Sequence, residues 1–413
     1  MIRSSKHSLK DCNKAKIITI EFFISCYKEM LKKYVNILWN DYQNNPMSLL
    51  PSAICNRIST GKDFDSRIRQ CAAKQACGIV NGTLCKRRKQ LYKLKQLQKE
   101  GKDTKYLQRK IDCFHPSKPS VKNVNPEIDT RFVDILETGG HFDLFIRLSQ
   151  LGDRTEVRIP VNHHKVSIKW LSKGALKNAI RLNKKYITLI YEIPDTPKKT
   201  KGVITGADQG ELTTLTLGPN GNSQITVKNK DGYDLNTVCE ILAGRVKGSK
   251  GFRRAQAHRT NIINWALNRF VWKNIMQVNY ERIRDFKKGR HTSRELSHWT
   301  YPAIKEKVIS LSEVEGFKFT EQDNKFRSQR CSKCGWVHKS NRKGKTFKCT
   351  NAICGFVADA DLNAASNHET ELYDISYHRV WYERINRTTG FFWLKDGVYT
   401  SDGEPIVSHT QKE

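Results

Sequence analysis

Four cysteines and three acids are the residues whose types and spacing could do chemistry. Cys331 and Cys334 form a C-x-x-C pair, and Cys349 and Cys354 form a second pair that is wider. Two thiol pairs joined by a loop can close a tetrahedral zinc site. Four thiolates leave no position open for water, so such a zinc is structural. The intervening loop is basic and hydrophilic (Lys339, Arg342, Lys343, Lys345, Lys348), which suits a finger lying near phosphate. A closed zinc site reacts with nothing, so the reacting groups must lie elsewhere. Asp208 ends an apolar run and is followed by Gly210; Glu281 ends the run Gln277-Val-Asn-Tyr-Glu; Asp361 opens a helix-like stretch containing Asn363, Ala364 and Ala365. An acid in a buried strand is costly without a partner, and a bound cation is one such partner. Three carboxylates gathered by an α/β core fit a pair of Mg²⁺ ions, hard cations that take oxygen ligands. Two such ions about 3.5–4 Å apart can activate water and stabilise the leaving oxygen in phosphodiester hydrolysis. Asp359 competes with Asp361 for the third place.

The elements that must position these groups are arranged in modules. A chain of 413 residues exceeds one ordinary core, so two to four modules are expected. Lys and Arg number 73 against 41 Asp and Glu, a net charge of +32 that calls for an anionic partner, nucleic acid first. An acidic membrane surface is the weaker choice, because no apolar run approaches the ~18 residues of a spanning helix. The run Ile17–Ile24 is short and carries Glu21, so it does not read as a signal peptide. Eight further cysteines (Cys12, Cys26, Cys55, Cys71, Cys77, Cys85, Cys113, Cys239) are scattered. This pattern fits reduced thiols in a cytoplasmic compartment.

Apolar residues at helical spacing predict a long helix over residues 17–42, through Phe23, Tyr27, Leu31, Tyr34 and Leu38. Pro46 and Pro51 mark a turn, residues 52–80 read as helical again, and residues 83–112 form the most basic helical segment, broken at Gly101. Few acids interleave with Arg87, Arg88, Lys89 and Lys93, which favours contact with a phosphate backbone over a merely solvated face. After a Pro-containing linker at 115–119, alternating runs predict strands over 142–148, 156–161, 166–171 and 186–193, a small barrel-like β-domain. His163 and His164 read as a plain surface pair. From 202 onward, strands and helices alternate: strands near Asp208 and Glu281, a helix over 239–277 that is basic at Arg253 and Arg254, a helix over 299–314, and a strand at 316–320. The aromatic tail (Tyr377, Trp381, Tyr382, Phe391, Phe392, Trp393) has no assigned role.

Four segments together resemble TnpB, the transposon-encoded RNA-guided nuclease, and the compact type V CRISPR effectors. They are Gly206-Ala-Asp208-Gln-Gly210; Tyr280-Glu281-Arg282; Phe326-Arg-Ser-Gln-Arg-Cys331-Ser-Lys-Cys334-Gly335; and Cys354-Gly355-Phe-Val-Ala-Asp-Ala-Asp361-Leu-Asn-Ala-Ala365. The resemblance covers roughly residues 200–367. It departs at Gln209 (usually apolar), Arg282 (commonly Leu), Arg327 (frequently Thr) and the wide second cysteine pair. It implies Asp208, Glu281 and Asp361, in preference to Asp359, as catalytic Mg²⁺ ligands in a two-metal site, and structural zinc on the four cysteines. It further implies a guide RNA, a target double-stranded DNA and a short target-adjacent motif read by the protein.

The expected architecture is a multi-domain α/β chain. A helical recognition lobe occupies residues 1–120, with the first 16 or so assignable to the next module, and a β-barrel wedge follows at 121–200. A RuvC-like (RNase H fold) nuclease core spans 201–328, a zinc finger 329–356, and the end of the core with the tail 357–413. Nucleic-acid contacts are expected at Arg87, Arg88, Lys89, Lys93, Arg253, Arg254 and Arg327. The expected function is RNA-guided, Mg²⁺-dependent DNA cleavage by a monomer or homodimer with no membrane partner. Two other readings stand beside it: an RNA-guided repressor that binds without cutting, and an unguided RuvC-like nuclease or transposition accessory factor.

Overall fold

The computed structural model describes residues 1–44, 66–101, 103–113, 116–149, 156–210, 213–283, 296–375 and 389–408. The turn at Pro46 and Pro51, the part up to residue 65 of the helical segment expected over 52–80, Cys55, and the tail aromatics Tyr377, Trp381 and Tyr382 lie outside them. The chain divides into two compact units, Met1–Pro194 and Asp195–Glu413.

In the first unit, β1 (Ile2–Ser8) leads into α1 (Lys14–Asn44), α2 (Ser66–Lys99) and α3 (Lys105–Asp112). Ile20, Phe23, Tyr27, Leu31, Tyr34 and Leu38 of α1 are fully buried, the single stripe that their three- and four-residue spacing requires. Ala72, Ala73 and Ala76 of α2 pack against that stripe. α2 runs unbroken through Gly78 and Gly82, where the sequence suggested two helices. Neither glycine is crowded, so each costs helix propensity, about 1 kcal/mol, without ending the helix. Beyond Leu84, Leu94 is the buried apolar residue of α2, and the basic half extends past the core.

The strands that follow are β2 (Glu127–Ile128), β3 (Val133–Glu137), β4 (Leu144–Leu148), β5 (Val157–Val161), then α4 (Lys165–Leu171), β6 (Ala175–Leu182) and β7 (Tyr186–Glu192). They form two antiparallel sheets, ordered β1-β7-β6-β2 and β3-β4-β5, in place of one closed ring. β1 pairs along β7 from Ile2↔Glu192 to Ser8↔Tyr186, so the first residues belong with the strands. Both sheets and both long helices share one apolar core. The strand expected over 166–171 is instead α4. The His164 ring accepts from Val166 N–H (3.2 Å) and Ser167 Oγ accepts from His164 N–H (2.7 Å), a reciprocal cap that overrides a six-residue alternation.

The second unit is built on β8 (Val203–Asp208), β9 (Thr216–Leu217), α5 (Leu235–Ala243), α6 (Lys250–Asn268), β10 (Ile275–Arg282), α7 (Tyr301–Glu315) and β11 (Lys318–Asp323). The sheet order is β11-β10-β8-β9, with β8, β10 and β11 parallel and β9 antiparallel. The parallel strands need crossovers, and α5–α6 and α7 supply them. The single helix expected over 239–277 is interrupted because Gly248 turns left-handed (φ 85°) and Ser249 starts α6 by accepting from Phe252 N–H. Small sheets complete the unit. β13 (Arg342–Lys343), β14 (Thr346–Lys348) and β15 (Val357–Asp359) form one; β12 (Trp336–Val337), β16 (Phe391–Trp393), β17 (Gly397–Tyr399) and β18 (Pro405–Ser408) form the other. α8 (Ala360–Glu369) follows β15.

Candidate metal-binding and active site

Three elements bring the acids together. The register Tyr280↔Ala207 sets Asp208 and Glu281 side by side at the carboxyl ends of neighbouring parallel strands, where open α/β sheets place their ligands. α8 delivers Asp361 from its first turn. The helix reaches β8 through an all-small contact: Ala364 and Ala365 are buried, and a Cβ on Gly206 would collide with the Ala365 carbonyl. Asn363 supplies the lateral tie, accepting from Ser332 N–H (3.0 Å) and donating to Arg330 C=O (2.8 Å). Asn367 donates to the carbonyls of Arg327 (3.0 Å) and Arg330 (2.7 Å). The Asp-Leu-Asn-Ala-Ala stretch thus has a job for each polar position and a packing reason for both alanines. Asp359, the competitor for the third place, accepts the Asp361 and Leu362 N–H groups as the cap of α8.

The electrostatics are uneven. Asp208 is 7% exposed, and burial, then the charges of Glu281 and Asp361, push its carboxyl well above the usual range. Burial lifts Glu281 to about 7, against long hydrogen bonds from Gln209 N–H (3.5 Å) and the Asn324 amide (3.4 Å). Asp361 is buried too, yet its carboxyl is held below the usual range. It accepts from the Thr213 hydroxyl (2.6 Å) and Arg342 Nη2 (3.1 Å), and it pairs with Lys345. Two buried acids, Asp208 and Asp361, beside a half-buried Glu281, with Asp208 and Glu281 driven toward the neutral form, fit a site that takes cations. The polar Gln209 has a local reason: it accepts the hydroxyl of fully buried Tyr280 at 2.7 Å. Arg282 donates to Glu321 C=O at 3.1 Å.

The thiols form the tighter cluster. Among the described residues, only Cys331, Cys334, Cys349 and Cys354 bring their ligand atoms within 4.8 Å of one another. The sulfurs of Cys331 and Cys354 are 3.8 Å apart and those of Cys334 and Cys349 3.7 Å. Ligands at a Zn–S distance of about 2.3 Å stand about 3.8 Å apart on a tetrahedron, whereas a disulfide needs about 2.05 Å. The residues present therefore fit zinc. Burial raises the Cys331 thiol to about 11, so metal binding must displace its proton.

The expected nucleic-acid contacts separate. Lys89, Lys93, Arg253 and Arg254 are exposed, while Arg87 and Arg88 are half-buried, donating to Ile111 C=O (3.0 Å) and the Asn81 amide oxygen (2.8 Å). Arg327 is a correction. It is 8% exposed, with its guanidinium on the carbonyls of Asp323 and Asn367 and over the Trp393 ring, which leaves no face for phosphate. Sequence reasoning missed Thr213 and Asn324, which carry no local signal. It counted Arg342 and Lys345 only as basic loop residues.

Residues 301–368, which include all four thiols and Asp361, match the family described as Cas12f1-like, TNB domain. A CRISPR-associated endodeoxyribonuclease Cas12f1 of Sulfoacidibacillus thermotolerans is 45% identical over 76 residues, 18% of either chain. A TnpB-like protein of Aquifex aeolicus (strain VF5) is 30% identical over 103 residues, 24% of this chain and 34% of that one. The matches thus span between 18% and 34% of these curated relatives. The cryo-EM structure of the Cas12f1–sgRNA–target DNA complex is similar with a TM-score of 0.55 at 15% identity, covering 86% of this chain and 82% of that one. CasPhi-2 (Cas12j) bound to crRNA gives 0.52 at 9% identity, covering 89% and 97%. At such identities the agreement is one of mixed α/β fold. Together these similarities bear out the resemblance to TnpB and the compact type V effectors. Among the described residues, no helix is long and apolar enough to cross a membrane.

Proposed function

We propose that this chain is an RNA-guided DNA endonuclease. In this reading the first unit holds the recognition lobe and wedge, and the second is a RuvC-like core with an inserted zinc finger. Asp208, Glu281 and Asp361 are the catalytic acids. The observation that carries the reading is the meeting of these three acids at the ends of β8 and β10 and the start of α8, a helix tied by Asn363 to the first cysteine pair. The Cas12f1 relative is called an endodeoxyribonuclease, one similar structure is a complex with sgRNA and target DNA, and the charge of +32 suits such partners.

Divalent cations such as Mg²⁺, when bound there, supply Lewis acidity and an activated water for phosphodiester hydrolysis. Asp208 and Glu281 offer their oxygens from adjacent strands, and burial makes both eager for positive charge. Thr213 orients one oxygen of Asp361, and Arg342 and Lys345 keep that carboxyl ionised. The four cysteines hold a structural zinc that keeps the finger, and through Asn363 the start of α8, in place. Sequence specificity falls to base pairing by a guide RNA, with a short motif on the target duplex read by the protein.

The test is to express the protein with its flanking locus, purify it and sequence the RNA that accompanies it. One abundant species with a fixed scaffold and a variable end is expected, and it should direct Mg²⁺-dependent cleavage of matched DNA. A folded, zinc-loaded protein carrying no specific RNA contradicts guidance.

A further inference from the structure

We infer that the second unit carries a binding site for an unpaired nucleobase, built on Trp265 and Arg269 at the end of α6. The inference rests on reading the chain as a nucleic-acid-binding protein, and none of its residues belongs to the acid or thiol clusters. A cavity of about 200 Å³ opens beside this helix end, walled by Ile225, Val227, Trp265 and Phe270, with Arg269 at its rim. The Arg269 guanidinium lies 5.0 Å from the Trp265 ring centroid, a cation stacked on an aromatic face. Arg269 is exposed, and among the described residues no acid lines the cavity.

The cavity is braced in advance. Gln224 accepts from Val271 N–H at 2.7 Å and donates to Gly221 C=O at 2.8 Å, so the strand-side wall is tied to the segment following α6. Val227 and Val271 are 59% and 58% exposed beside it. The rest of the helix matches this chemistry. α6 contains Lys250, Arg253, Arg254 and Arg259 and no acid. Arg254, Asn261, Trp265 and Arg269 follow one another at helical spacing along its accessible side.

The ligand class follows from size and charge. Pockets for drug-sized molecules begin at roughly 300 Å³, so this one suits a single planar ring system. Apolar walls, an aromatic face and a cation free to meet a phosphate are the parts with which proteins hold single strands without reading sequence. Every base has a π-face, and the backbone is anionic. RNA and DNA strands share that chemistry.

The test uses the full chain, stripped of co-purified nucleic acid in high salt. It is titrated with single-stranded DNA and, separately, RNA oligonucleotides carrying one 2-aminopurine, and with the same probe in a duplex. The wild type should quench the base analogue in a single strand but not in the duplex, and the arm that quenches identifies the strand. Trp265→Leu should lose the quenching and bind about tenfold more weakly, the scale of one base–aromatic stack. Trp265→Phe should restore most of both. The salt dependence of binding should be unchanged in Trp265→Leu and reduced in Arg254→Gln, because only the latter loses a phosphate-neutralising charge. Wild-type quenching and affinity in Trp265→Leu would overturn the site, as would a Trp265→Phe variant no better than leucine. A wild type that binds no nucleic acid at all would overturn the proposed function itself, which separates the two failures.

Discussion

The thiol cluster and the acid cluster lie in the same unit and are built in opposite ways. The thiols come from 24 consecutive residues, Cys331 to Cys354, and already stand at the separations a zinc ion imposes. The acids come from Asp208, Glu281 and Asp361, brought together by two parallel strands and a helix, and they sit in electrostatic tension. A metal on the thiols adds folding energy. A metal on the acids relieves a cost that the fold otherwise bears. On the proposed reading, the first cluster is part of the fold and the second is a site held ready at the fold's expense.

The largest expected effect is on the thiol side. Removing zinc with a strong chelator, or Cys331→Ser, should melt the finger, because structural zinc contributes on the order of 10 kcal/mol. Amide hydrogen exchange should show lost protection over β12–β15 and the first turn of α8, whereas removing Mg²⁺ alone should leave the protection of β12–β15 in place. Loss of the finger's protection on Mg²⁺ removal would contradict the independence of the thiol cluster from the acids. Gly206→Ala comes next. Its methyl group would meet the Ala365 carbonyl, so α8 must shift and carry Asp361 with it. A loss of about 2–4 kcal/mol in denaturant unfolding is expected, overpacking being the mechanism. Unchanged stability would mean that α8 does not lie against β8.

Glu281→Gln should act with the opposite sign. The folded-state pKa of about 7 exceeds the ordinary value of 4.5. Protonation of Glu281 therefore stabilises the fold fully below pH 4.5, and that stabilisation is lost as pH rises through 7. Without divalent metal, the glutamine variant should match the wild type near pH 4.5 and exceed it at pH 8 by on the order of 2 kcal/mol. A constant difference across that range would contradict the tension ascribed to the acids. Smallest is Asn363→Ala, which leaves Ser332 N–H and Arg330 C=O without their side-chain partner. A cost of about 1–2 kcal/mol is expected, with zinc retained.

The same contrast explains what the sequence revealed. The cysteine spacing was legible because ligand geometry is local there, whereas the three acids stood out only as candidates at strand and helix ends, with the resemblance choosing Asp361 over Asp359. Their supporting groups were not. Thr213 and Asp361 are 148 positions apart and meet only after the sheet is assembled. Arg327 was expected to contact nucleic acid, yet its guanidinium is used up on backbone carbonyls that only the folded chain brings to it. Phe391, Phe392 and Trp393 offered a recognisable composition and no role. They form β16, which pairs with β12 in a register that more than fifty intervening residues conceal. Gly390, left-handed at φ 81°, makes that pairing fit, since a side chain there would strike Trp336. In the first unit, the cap from His164 outweighed an alternation that pointed to a strand.

The most direct test of the central claim is cleavage of matched DNA by the guide-loaded protein in Mg²⁺, wild type against Asp208→Ala, with RNA retention measured on both. The account predicts a loss of at least about a thousandfold in cleavage, since several kcal/mol of transition-state stabilisation go with a metal ligand. Guide RNA should stay bound to the variant. Cleavage by Asp208→Ala at the wild-type rate would contradict the assignment of the acids.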